Sequence, residues 1–192
     1  MNTEKTYRII LLTFFGMLGS ILIGIIFFQT HVFLYSSIYF QFIIGGLVGA
    51  LFFGLLEYGR TKEQIFGMLL IIILQFIIFD GRSISTVKII RDIFYLSSLF
   101  LSVKLYHLFI KRYPEIKYYL RSLALVLIYG LVYTLFICIV YVINVRHGLP
   151  DMVIIYSIAR IAVLIGLGLG IGIDFYLLNQ KYLLSLLKIK AV

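Results

Sequence analysis

The chain is poor in what builds a soluble, disulfide-held or catalytic protein. One cysteine, Cys138, in 192 residues excludes an intrachain disulfide and a cysteine-built zinc site. The three histidines, His31, His107 and His147, are far apart and read as interfacial residues, with no metal expected. Charged residues make up 13%, roughly half the share of a soluble domain, and acids are the rarer sign, eight against 17 basic residues. No carboxylate pair and no Ser/His or Cys/His set stands at a catalytic spacing, so neither enzymatic activity nor a cofactor is expected. Tryptophan is absent, proline occurs twice, at Pro114 and Pro150, and no Asn-x-Ser/Thr acceptor occurs.

What is abundant is apolar. The sequence is 62% hydrophobic with a mean hydropathy of +1.10. Its runs are long enough to cross a hydrocarbon layer about 30 Å thick. They are too long and too uniformly apolar for barrel strands, and backbone in lipid must satisfy its own hydrogen bonds, which leaves helices. The expectation is an all-α, polytopic membrane bundle forming a single integral membrane domain. About six spans are predicted, at 9–28, 32–56, 65–79, 93–110, 120–143 and 152–178, with 179–192 as an interfacial tail mixing leucines and lysines. Lys5 and Arg8 ahead of the first run resemble a signal peptide, but the run is longer than a signal core and no small-residue cleavage site follows; an uncleaved span is expected.

A net charge of +9 would raise nucleic-acid binding in a soluble protein. Here its distribution speaks for topology, and no nucleic acid is expected. With the amino terminus inside, Lys5, Arg8, Arg60, Lys62, Lys104, Lys111, Arg112, Lys117, Arg121, Lys181, Lys188 and Lys190 fall inside; Arg82, Lys88, Arg91 and Arg146 fall outside. That bias predicts both termini in the cytoplasm of a multi-pass protein in the cell's cytoplasmic membrane. The basic rim is expected to attract anionic lipid headgroups. Local punctuation agrees: Gln29, Thr30 and His31 make a short turn, Thr61 and Gln64 look like a capping box opening the third span, and Gly148 to Asp151 separates the last two.

Small residues recur at spacings of four: Gly16, Ser20 and Gly24; Gly45 and Gly49; Gly166 and Gly170; Gly168 and Gly172; and the face of Ser122, Gly130, Thr134 and Cys138. Such spacing lets helix backbones approach closely. The alternative for Gly166–Gly172 is local unwinding to line a site with bare backbone. In the fourth span Lys88, Arg91, Tyr95, Ser98, Ser102 and Tyr106 share one helical face, expected to point inward as a hydrogen-bonded seam or as the wall of a wet pocket.

Arg160 is the sharpest feature. It lies nine residues into the sixth span, about 13 Å deep, and a guanidinium at that depth marks a functional-site hypothesis. Tyr156 lies one turn away on the same face, and Gln41, Gln75, Arg91, Tyr95 and Ser98 fall at outer-half depths. Together these predict an outward-facing polar pocket for a small ligand, with a guanidinium fork that suits an anionic carboxylate or phosphate group and with Asp92 as an ion-pair candidate for Arg160. A second cluster, Glu57, Lys104, His107 and Asp174, is predicted at the inner face.

Two functions compete. One is a small transport or substrate-capture subunit. In size and topology the chain resembles the substrate-binding subunits of energy-coupling-factor vitamin transporters. The run Gly45, Gly46, Leu47, Val48, Gly49, Ala50 leading to Glu57 is similar to their glycine-rich second helix, and Gly16, Ser20 and Gly24 would then form the docking face; the three-residue first loop departs from that pattern. The other is a membrane scaffold or sensor acting through helix association, with a membrane-protein partner or a homo-oligomer.

Overall fold

A computed structural model of the chain describes residues 3–27, 36–79, 86–144 and 152–186. They form six helices and no strand: α1 (Thr3–Phe27), α2 (Ser36–Tyr58), α3 (Thr61–Phe79), α4 (Thr86–Arg112), α5 (Tyr118–Asn144) and α6 (Met152–Leu186). Three are long and apolar enough to cross a membrane, at Thr3–Phe27, Ile93–Arg112 and Ala159–Leu186, which marks a membrane protein. The outer surface agrees. Leu127, Leu131 and Leu135 of α5, spaced by one turn, are 60%, 73% and 58% exposed, and large apolar side chains of α1, α3 and α6 are exposed too. Soluble monomers rarely show such continuous apolar surface.

Most helices overrun the predicted apolar runs, because hydrogen bonding along a helix does not stop where hydropathy falls. The sixth is the clearest case: α6 is one helix to Leu186, so residues 179–186 extend it instead of forming a separate interfacial piece. No proline or glycine lies between Gly172 and Leu186 to end it.

α1 sits between α2 and α6; α6 packs on α5, α5 on α4, and α4 returns to α2. α2 also meets α6 across the bundle, while α3 leans mainly on α2. Glycine sets these contacts. A Cβ at Gly168 would lie 2.5 Å from the Ser20 Cα and 2.7 Å from the Gly19 carbonyl oxygen, and one at Gly172 would lie 2.7 Å from the Gly16 Cα. Gly46 faces Ser20 and Gly16 faces Ala50, joining α1 to α2; Gly170 faces Ser122 and Gly166 faces Val126, joining α6 to α5. The Gly16, Ser20 and Gly24 face is thus covered by α2 and α6 and is not an open docking face. Gly166–Gly172 does not unwind either; α6 is unbroken through it. The close approach of neighbouring backbones uses these glycines as helix surface.

Half of a capping box opens α3, one residue earlier than predicted. The Glu63 carboxylate accepts the Arg60 N–H at 2.9 Å, and Gln64 Nε2 donates to the Gly59 carbonyl at 3.2 Å. Arg60 is therefore the cap residue, and Thr61 is already helical. Glu63→Ala is expected to weaken this end by ~1 kcal/mol, read as faster hydrogen exchange at the Arg60 amide with the rest of the bundle unchanged. Between α4 and α5, Arg121 folds back to donate to the Ile116 carbonyl at 2.9 Å and to the Pro114 carbonyl, closing the basic loop.

Candidate functional site

The stripe on α4 points inward: Ser98, Ser102 and Tyr106 are fully buried. Its serines do not make a seam. Ser98 donates to the Tyr95 carbonyl at 2.7 Å and Ser102 to the Ser98 carbonyl at 2.6 Å, a local solution open to any hydroxyl in a helix. Tyr106 is the one that crosses. Its hydroxyl donates to Asp174 Oδ1 on α6 at 3.3 Å, and Ser122 Oγ on α5 donates to Asp174 Oδ2. A carboxyl group 5% exposed is thus held by three helices. Asp174 and Ser122 meet because Gly170, one turn before Asp174, lets α6 lie directly on the Ser122 backbone.

Neighbouring groups extend this centre. His107 Nε2 is 2.8 Å from Glu57 Oε2 on α2. Phe53, one turn before Glu57, packs on both Tyr106 and His107, with ring centroids 5.7 and 5.6 Å apart. The Tyr176 hydroxyl is buried beside Tyr58. Arg8, paired with Glu4 at 2.6 Å, lies over the Tyr58 ring at 5.7 Å. This end of the bundle gathers a buried carboxyl, an acid–imidazole pair and three tyrosines. Carboxyl and imidazole can each take up a proton, and a carboxylate ringed by hydroxyls can also accept a small cation. Among the described residues, no group of three or more His, Cys, Asp and Glu side chains is arranged to hold a metal ion.

Farther along the core, Tyr95, Tyr129 and Tyr133 stack, with Tyr95–Tyr133 at 5.4 Å edge-on and Tyr129–Tyr133 at 5.7 Å. The Tyr95 and Tyr129 hydroxyls are both buried and lie beside each other. The missing side chain of Gly45 leaves room there; a Cβ on it would lie 3.2 Å from the Tyr95 hydroxyl.

The predicted residues divide. Tyr95 and Ser98 face the interior, whereas Tyr156 is 70% exposed and Arg160 is exposed. The side chains of Gln41, Gln75, Arg91 and Asp92 lie outside the described residues. The glycines of α6 explain where Arg160 went. Gly168 and Gly172 must face α1 and Gly166 and Gly170 must face α5, which turns the face of Tyr156, Arg160, Val163, Ile171 and Leu178 outward. Of the inner cluster, Glu57 and His107 are in direct contact and Asp174 joins them through Tyr106, next to His107; Lys104 is exposed. Spacing alone puts Ser122 on a packing face and gives Tyr129 and Tyr176 no place in the site. The level shared by Ser122 and Asp174 in antiparallel α5 and α6 is the signal for the first. Compared with known protein families, curated proteins and solved structures, the chain matches none.

Proposed function

We propose that the chain is a six-span protein of the cytoplasmic membrane, with both termini in the cytoplasm, that serves as a small transport or substrate-capture subunit. Its working centre in this reading is the Asp174 carboxyl, and Arg160 has no part in it. The observation that carries the proposal is the burial of Asp174 inside α6 with donors from α4 and α5. An ionisable group within an apolar span is expensive and is kept for ion or substrate handling more often than for packing. The buried Tyr95 and Tyr129 hydroxyls add polar stations higher in the same core, on the side where the charge bias puts the exterior. Anionic headgroups would contact the basic rim at Lys111, Arg112 and Lys117, all exposed.

A modification experiment tests this. Dicyclohexylcarbodiimide, an apolar reagent that attacks protonated carboxyl groups, is added to the protein in vesicles, and the modified residue is found by mass spectrometry. Asp174 is expected to react, increasingly as pH falls and less when sodium is added at fixed ionic strength. An Asp174 that stays unmodified throughout, or reacts with no response to pH or sodium, overturns the reading. The scaffold or sensor alternative has its own supporting observation, the outward position of Arg160 on α6.

A further inference from the structure

Between α5 and α6 a groove opens on the outside of the bundle, with a volume of about 450 Å³. Its walls include Gly130, Thr134 and Cys138 of α5 and Ala159 and Val163 of α6. Val126, Leu127, Leu131 and Leu135 complete the lining, which is apolar apart from the Thr134 hydroxyl, buried there with no hydrogen-bond partner among the described residues. From Val126 to Cys138 the groove runs about 18 Å at 1.5 Å per residue, a little over three helical turns. Small residues along such a seam allow a further helix backbone to come close, which is how helices associate in lipid.

The charge beside the groove decides what fills it. α5 and α6 are antiparallel, with Gly130 against Val163 and Val126 against Gly166. Arg160, about one turn beyond Val163, is therefore level with Thr134, near mid-depth. Arg160 is engaged within the chain and still exposed. A lipid phosphate lies about 15 Å from the bilayer midplane, half the core thickness, and so is far from this level. A second copy related by a twofold axis along the membrane normal would set one Arg160 at the depth of the other, like charge facing like charge. A helix of another protein carrying a carboxylate at that depth has neither problem, and the guanidinium fork pairs with a carboxylate through two parallel hydrogen bonds.

We infer that the α5–α6 groove seats a single transmembrane helix of a different protein, one bearing an aspartate or glutamate near mid-length that pairs with Arg160. This goes beyond the transport reading and does not depend on Asp174.

The test uses the full chain in phosphatidylcholine vesicles, donor-labelled at the amino terminus, with acceptor-labelled polyleucine helices carrying one central glutamate or one central glutamine. Energy transfer should show the glutamate helix binding about tenfold more tightly than the glutamine helix. Arg160→Gln should erase that difference, and Arg160→Lys should retain part of it. Ala159→Leu, which fills the groove, should weaken both helices. Circular dichroism and melting checks that each variant is folded; the exposed position of Arg160 makes its loss tolerable. Equal binding of the two helices to the natural chain overturns the inference, as does a preference that survives Arg160→Gln. Transfer between copies of the chain that neither helix can displace overturns it in favour of a second copy, and displacement of the glutamate helix by added phosphatidylglycerol overturns it in favour of lipid. Carbodiimide modification of Asp174 is untouched by any of these outcomes, so the two proposals fail separately.

Discussion

Gly172→Val is expected to part α1 from α6 and cost the fold ~3 kcal/mol. A Cβ at this position meets backbone, not side-chain ends: the Phe15 carbonyl oxygen, the Gly16 Cα at 2.7 Å and the Phe15 carbonyl carbon at 2.8 Å. Backbone cannot turn aside as a rotamer does, so the helices must separate along their whole contact. Gly168 and Gly19 sit in the same seam and would lose their own close packing as it opens. Gly54→Ala is the control. Its Cβ would meet mainly the Ile9 side chain, at 3.3 Å, and the gain in helix propensity, up to ~1 kcal/mol, should offset the crowding. Melting of detergent-solubilised protein, followed by circular dichroism, should show a large downward shift for Gly172→Val and little change for Gly54→Ala.

The second large effect concerns Asp174 and its donors. Removing both hydroxyls together, Tyr106→Phe with Ser122→Ala, leaves a buried carboxyl without the hydrogen bonds that hold it. The expected loss is about 3 kcal/mol. Adding Asp174→Leu to that pair removes the stranded group and should restore most of the lost stability, because replacing every partner of a buried polar contact by apolar groups is close to neutral. Asp174→Leu alone should be intermediate, since it strands the two hydroxyls instead. Asp174→Asn keeps an acceptor oxygen and should melt near the natural protein while abolishing carbodiimide modification. The natural protein, the double variant, Asp174→Leu alone and the triple variant form a thermodynamic cycle. If the triple variant is no more stable than the double, the Asp174 contacts are not coupled as described.

The helical class was legible in hydropathy, because a run of apolar residues of membrane length has few other ways to satisfy its backbone. The pairing of helices was legible in part. Spacing of four at Gly16, Gly168 and Gly172 announced close approach, but it named neither partner: the same spacing would serve an interface between chains. The candidate site was harder. Arg160 stood out by the cost of its charge, yet that cost says only that compensation is needed, not from which side. The direction was written in other residues of α6, since the glycines commit two of its faces to α1 and α5 and leave Arg160 the third. Asp174 was visible as an inner-face acid, but its partners Tyr106 and Ser122 lie 68 and 52 residues away, and no local pattern connects them. Glu57 and His107, 50 residues apart, met because both lie at helix ends on the same side of the bundle.

The clasp between α1 and α6 also has a consequence in time. A ribosome delivers α1 to the membrane long before α6 exists, and until then the bare backbone at Gly19 lacks the Gly168 and Gly172 backbone that it lies against. Closure must wait for the sixth helix, so the nascent protein passes through a long half-built stage in which a membrane chaperone, or α2 alone, has to keep that surface from a wrong embrace.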